Sequence, residues 1–291
     1  MANGQWFPQD WPERIRALTD GTLTPVVPKR AATVMLLKDT DRTPAVHMLR
    51  RRASMAFAGG AYAYPGGGVD PRDDEHHVRW AGPTRAWWAH RLGVDEASAQ
   101  AIVCAAVRET YEEAGVLLAG PSADTVVGDT TGDDWEADRA AVAAREVSFA
   151  EFLDRRGLVL RSDLLGAWTR WITPEFESRR YDTWFFVAAL PKGQRTRNAS
   201  TEADRTVWIR PQEAVDGYDK GELLMMPPTV ATLRQLLPYA TAADVLAAAP
   251  GRDMTAVLAR ARLADGEIVL SWPGHDEFTK HIPTDLPTGG A

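Results

Sequence analysis

The run Arg108-Glu109-Thr110-Tyr111-Glu112-Glu113-Ala114-Gly115-Val116 constrains this chain more than any other stretch of similar length. The segment before it reads as a helix that begins at an Asp95 N-cap and stops at Gly115. On that helix Glu109, Glu112 and Glu113 stand at i, i+3 and i+4, so all three carboxylates leave from one side. Like charges at this spacing weaken a helix by roughly 0.2–0.5 kcal/mol per pair. A solvated Glu-rich face is the plain reading, and a site for a hard divalent cation such as Mg²⁺ is the functional one. The full pattern R-E-x-x-E-E-x-G fixes five positions. At residue frequencies of about 0.06, a chance match in such a chain is on the order of one in several thousand. Val103, Val107, Thr110, Tyr111 and Ala114 share the opposite side, so one face is expected to pack on a sheet and the other to face a cleft.

Composition narrows the partners. The chain has 291 residues, 45% of them hydrophobic and 25% charged, as in ordinary globular proteins. Its net charge of −7 and pI near 5.4 argue against a nucleic-acid backbone as partner. Cys104 is the only cysteine, so no intrachain disulfide can form, and a small buried apolar role is expected for it. No leader-like pattern and no run approaching roughly 18 apolar residues is read. A cytoplasmic protein with no membrane partner is the expectation.

Residues 1–30 carry four prolines and read as an irregular arm. Ala31–Leu37 and Val46–Arg51 read as a hairpin. Tyr64-Pro65-Gly66-Gly67-Gly68-Val69-Asp70 follows, and its glycines permit close approach of another group to the main chain. Residues 74–94 read as an insertion with one or two short helices. Residues 120–147 are acidic and partly helical, and Ser148 to Glu151 matches a capping box closed by Gly157. Leu164–Thr173, Tyr181–Leu190 and Thr206–Ile209 are strand candidates. From Pro227 the chain reads as mostly helical, with breaks at Pro238 and Pro250 and a late strand at Glu267–Ser271. His76-His77 and His275-Asp276 lack partners at metal-ligand spacing and read as solvated loops.

With these residues in hand, the chain resembles the Nudix hydrolases, whose box reads G-x5-E-x7-R-E-U-x-E-E-x-G-U with U a bulky aliphatic residue. The second half stands as Arg108 to Val116, with Thr110 in place of the first aliphatic residue. The first half starts at Gly67 and puts Asp73 where the first Glu belongs, with Asp70 and Glu75 as chemically similar neighbours. Residues 74–107 then stand where the family has seven, so the box is interrupted. This is similar to the split-box subfamily that includes the mammalian peroxisomal coenzyme A diphosphatase. Met48-Leu49-Arg50-Arg51-Arg52-Ala53, Trp171-Ile172-Thr173-Pro174, Arg180-Tyr181-Asp182-Thr183 and Phe185-Phe186 also carry the likeness. The coenzyme A element L-L-T-x-R-[SA]-x3-R-x3-G-x3-F-P-G-G survives only in part. Its second Arg is missing and its spacing is one residue short.

The resemblance implies an α+β fold, a Nudix α/β/α sandwich around a mixed sheet. It implies one domain over residues 1–291, with a core at about 30–215, the insertion at about 74–94 and a helical extension at about 227–291. It implies Mg²⁺ or Mn²⁺ held by Glu109, Glu112, Glu113 and a carbonyl near Gly66, with Arg108 orienting the glutamates. Glu109 and Glu202 are both candidates for the general base. Gly67, Arg52 and Arg180 are candidates to meet phosphates, and Trp168, Trp171 and Tyr181 to stack on a base, core packing being the alternative for each aromatic. The implied substrate is a nucleoside diphosphate derivative: coenzyme A or an acyl-coenzyme A, or else ADP-ribose, a dinucleotide or a nucleotide sugar. A homodimer is implied by the family alone. A catalytically silent ligand sensor is the rival class, but such a domain is expected to lose box glutamates.

Overall fold

The computed structural model describes residues 10–54, 59–74, 78–199, 203–264, 267–271 and 280–283. In chain order the elements begin with α1 (Trp11–Thr19), β1 (Lys29–Lys38), β2 (Ala45–Arg51), β3 (Tyr62–Ala63), β4 (Gly66–Gly68), a 3-10 turn at Pro71–Asp74 and β5 (Trp80–Ala81). Next come α2 (Arg85–Leu92), α3 (Glu96–Ala114), β6 (Ala119–Gly120), α4 (Asp133–Ala143), α5 (Phe149–Arg155) and β7 (Val159–Arg161). They continue with β8 (Gly166–Ile172), β9 (Tyr181–Ala189), β10 (Ala203–Ile209), α6 (Pro211–Asp219), α7 (Pro227–Leu236) and α8 (Ala242–Ala248). The last are β11 (Ala256–Leu258), β12 (Arg260–Ala264), β13 (Glu267–Ser271) and β14 (Lys280–Pro283).

The main sheet runs β10-β2-β1-β9-β8-β11, with β3 paired to β2 and β4 to β1. It is mixed: β1 runs parallel to β9 and antiparallel to β2 and β4. Its central strands are apolar on both faces, as strands covered on two sides must be. Ala32, Val34 and Leu36 of β1 join Trp184, Phe186 and Ala188 of β9 in the core beneath α3. Met35, Leu37, Phe185 and Val187 point the other way, into a second core with α1, α7 and α8. Helices therefore cover both faces, as the sandwich requires.

α3 forms for the reasons its sequence gives. Asp95 caps it by accepting from the Ser98 N–H at 2.8 Å, and Gly115 ends it at φ 69°. Thr110, the residue out of place in an aliphatic position, is fully buried and donates its hydroxyl to the Ala106 carbonyl at 2.7 Å. That back-bond satisfies its polar atom within the helix.

The described part of the insertion, residues 78–94, does not stand off as a separate flap. α2 lies on α3, with Trp88 fully buried edge-on to Phe186 at 5.9 Å. The Trp184 indole also donates to the Leu92 carbonyl at 3.1 Å. The arm before β1 holds a helix rather than irregular chain. Pro12 falls in the first turn of α1, where its missing N–H is no loss, and Trp11 and Ile15 are buried one turn apart. The helical reading of 227–291 also needs correction. Among the described residues helix persists only to the 3-10 turn at Ala249–Gly251. Beyond it β11 extends the main sheet beside β8, and β12, β13 and β14 form an antiparallel sheet. A strand there covers the otherwise open edge of β8. Among the described residues no helix is long and apolar enough to cross a membrane.

Candidate active site

Arg108 organises the carboxylates. Its Nε and Nη2 donate to the two oxygens of Asp73 at 3.0 and 2.9 Å, a bidentate pair across 35 residues of sequence. Nη2 also donates to the Gly68 carbonyl at 2.9 Å, and Nη1 to Glu109 at 2.7 Å and Glu112 at 3.1 Å. The interrupted halves of the run thus meet: the chain leaves at Asp73, folds the insertion onto α3 and returns to lay Arg108 against the same aspartate.

Strand β4 supplies the floor. The Gly66 N–H donates to Glu113 Oε2 at 2.9 Å. A Cβ on Gly67 would sit 2.5–2.7 Å from the Glu109 carboxylate, so only glycine admits that side chain in this position. A Cβ on Gly66 would strike Ala32 O at 2.6 Å and Thr33 Cα at 2.7 Å on the neighbouring strand. These two glycines are required by close approach, not by backbone angle.

The site is poor in compensating charge. Burial pushes the Glu109 carboxyl up to about 7, against the pull of Arg108 and with help from the neighbouring Glu112 charge. Burial likewise raises Glu112, and raises Asp73 despite its Arg108 partner. Asp70, by contrast, is held down at about 2, first by its hydrogen bond from Arg72. Among the described residues no three carboxylate, imidazole or thiolate side chains converge at metal-ligand spacing. Arg108 draws Glu109 and Glu112 to itself, and the Gly66 amide holds Glu113. The donors are nonetheless all oxygen, on one helix face, and carry negative charge that burial leaves under-neutralised. That set suits a hard divalent cation.

The far side of the box helix is clamped as well. Arg139 of α4 donates Nη1 to the Glu112 carbonyl at 2.7 Å, and the Tyr111 hydroxyl donates to the Trp135 carbonyl at 2.7 Å. Thr130 bonds the Gly115 carbonyl at 2.7 Å.

The other expected residues fare differently. Trp168 is fully buried in the core on the α7 side, with its indole N–H on Gln235 at 2.9 Å and Arg252 over its ring at 4.3 Å. It has no face left for a base. Trp171 is buried in the same core. Arg180 is buried and donates to the carbonyls of Thr173 at 3.1 Å and Val26 at 2.7 Å, so it ties chain segments together instead of meeting phosphate. Tyr181 is 40% exposed but stands on the β9 side that carries Phe185 and Val187, away from α3. Arg52 is exposed just past the end of β2. Glu202, Glu75, His76-His77 and His275-Asp276 lie outside the described residues. Sequence reasoning missed Arg72, Arg139 and Arg145, none of which stands in a recognisable pattern.

The family profile described as "NUDT19 Nudix domain" matches residues 91–236, half of the chain. Among curated proteins the chain is similar to "Acyl-coenzyme A diphosphatase NUDT19" of Gallus gallus, 29% identical over 49% of this chain and 42% of that protein. "Putative nudix hydrolase 7" of Caenorhabditis elegans is 27% identical over 72% of this chain and 60% of that protein. The human acyl-coenzyme A diphosphatase NUDT19 is 29% identical over 49% and 40%. The matches thus span less than two thirds of each relative's own length. Among solved structures, a NUDIX hydrolase from Alicyclobacillus acidocaldarius superposes with a TM-score of 0.66 at 25% identity, over 76% of this chain and 96% of that one. Profile, relatives and superposition agree with the interrupted box, and the chain belongs to the NUDT19 Nudix domain family of hydrolases.

Proposed function

We propose that this protein is a divalent-metal-dependent diphosphatase that cleaves the diphosphate linkage of a nucleoside diphosphate derivative, with coenzyme A or an acyl-coenzyme A as its substrate. The observation that carries the reading is the Arg108 fan: one guanidinium holding Asp73, Glu109 and Glu112 beside a glycine strand that leaves room for nothing larger. Glu109, Glu112 and Glu113 are the residues to hold Mg²⁺ or Mn²⁺, with a main-chain carbonyl near Gly66. Such an ion supplies charge neutralisation at the phosphoryl group and acidifies bound water. Arg108 fixes the carboxylates, β4 leaves no room for a side chain on their floor, and Glu109, pushed up to about 7 by burial, is suited to accept a proton. The coenzyme A assignment is supported by the named activity of the chicken and human relatives. The incomplete coenzyme A element keeps ADP-ribose, dinucleotides and nucleotide sugars in the test.

That test is turnover of coenzyme A, acyl-coenzyme A, ADP-ribose, NADH and nucleotide sugars with Mg²⁺ or Mn²⁺, products read by mass, beside Glu113→Gln. Formation of 3′,5′-ADP and a phosphopantetheine product, lost in the variant, is the expected result. Metal-independent turnover would remove the metal from the reading. Binding without turnover of any member would favour a sensor.

Gly67→Ala separates site from scaffold. Its new methyl group meets only the movable end of Glu109, so the variant is expected to melt within a few degrees of the parent and to lose most of its turnover. Gly66→Ala meets main chain, cannot relax in the same way and is expected to cost about 1–3 kcal/mol, as overpacking does. Equal melting losses in the two variants would refute the distinction.

A further inference from the structure

Arg145 lies in the connection between α4 and α5, at φ 60°, the one non-glycine residue at positive φ among those described. Its N–H bonds Val142 O and the Glu146 N–H bonds Ala141 O, both at 2.9 Å, closing α4 in the manner of a Schellman turn. That position favours glycine, and an arginine there carries backbone strain. The side chain gains no tight partner in return. Its side chain is 76% exposed, and its Nε lies 3.6 Å from Asp70 Oδ2. Asp70 is already neutralised by Arg72, whose Nε and Nη2 reach its two oxygens at 3.0 and 3.1 Å. Arg72 Nη1 in turn donates to the Arg145 carbonyl at 3.1 Å, so the segment bearing Asp73 pins the strained residue in place. Asp70 also donates its N–H to Asp73 Oδ2 at 2.8 Å, and Asp73 holds Arg108, so Arg145 is linked to the guanidinium that gathers the glutamates through Asp70 and Asp73.

A pinned backbone, a strained conformation and an under-used cation at the lip of a carboxylate cluster suit an anion that arrives from solvent. We propose that Arg145 binds a phosphate oxygen of the substrate at the mouth of the site formed by Glu109, Glu112 and Glu113. The inference rests on the diphosphatase reading and adds the residue that would meet the diphosphate from the α4–α5 side. It replaces the buried Arg180 in that role.

Arg145→Gly makes the test sharp, because glycine relieves the backbone while deleting the cation. Inorganic pyrophosphate with Mg²⁺, titrated calorimetrically, is the binding probe, alongside melting and the KM and kcat of whichever diphosphate the panel identifies. Arg145→Gly is expected to melt at or above the parent temperature, to bind pyrophosphate about tenfold more weakly and to raise KM more than it lowers kcat. Arg145→Lys is expected to fall between. Unchanged pyrophosphate binding and KM in Arg145→Gly overturns the proposal. A lower melting temperature with unchanged binding makes Arg145 a structural partner of Asp70 and overturns it too. If the parent protein itself neither binds pyrophosphate nor turns over any diphosphate, the diphosphatase reading fails, and this inference with it.

Discussion

At pH 8 and without metal, Glu109→Gln is expected to be more stable than the parent protein by roughly 1–3 kcal/mol, while its metal-dependent turnover falls by about 10²–10⁴-fold. The sign follows from burial. Glu109 titrates near 7 in the folded chain, against an ordinary 4.5. Between those values the folded protein keeps a proton that the unfolded chain has released. This contribution to stability is complete below pH 4.5 and is lost as pH rises through 7. Glutamine keeps the shape and still accepts from Arg108 Nη1, now at 2.7 Å from the carboxylate, without ever carrying the buried charge. Denaturant melts at pH 4.5 and pH 8 measure it: the two proteins are expected to converge at the acid end and separate at the alkaline end. A constant difference across that range would mean that Glu109 titrates normally. Divalent cation should narrow the gap at pH 8, because it stabilises the ionised parent and has fewer ligands in the variant.

His47 contributes with the opposite slope. It is 1% exposed on β2, neither ring nitrogen has a hydrogen-bond partner, and burial holds it down at about 4. It stays neutral in the folded chain while the unfolded chain takes up a proton below 6.5, so stability is lost as pH falls from 6.5 toward 4. The Glu109 effect is therefore best read as the difference between variant and parent, in which the His47 contribution cancels.

What the sequence made legible follows from how local each signal is. α3 could be bounded because its cap, its glycine stop and its two faces all lie between Asp95 and Gly115. β13 was legible from its own apolar residues, and its bounds are those expected. Trp168, for which core packing was one of the two readings, and Arg180 could not be assigned from sequence because residue type says nothing about what covers it. The cover on Trp168 comes from Gln235 and Arg252, and that on Arg180 from Val26, all remote in sequence. α1 was missed because proline was read as a breaker where it stood in a first turn. Arg145 was invisible for a related reason: its backbone is set by the closure of α4, and nothing in its neighbours marks a left-handed position that an arginine occupies.

Asp73→Ala is expected to be the most damaging single change, costing about 3–5 kcal/mol in a urea melt at neutral pH and abolishing measurable turnover. The Arg108 side chain is only 10% exposed and that of Asp73 only 2%. Removing the carboxylate leaves a buried guanidinium with two of its hydrogen bonds unmade. The loop suffers as well, since Asp73 Oδ2 accepts from the Asp70 N–H at 2.8 Å and keeps Asp70 and Arg72 beside the site. Asp73→Asn keeps the shape but not the charge and should cost less. Asp73→Leu combined with Arg108→Met provides the decisive contrast. Replacing a buried ion pair with apolar groups is often neutral, so the double variant is expected to be more stable than Asp73→Ala. It should remain inactive, because Arg108 also holds Glu109 and Glu112. Recovery of stability without activity would assign Asp73 to the scaffold and Arg108 to both scaffold and site. Recovery of both would show that the glutamates find their positions without the guanidinium, and the central role given to Arg108 would fall.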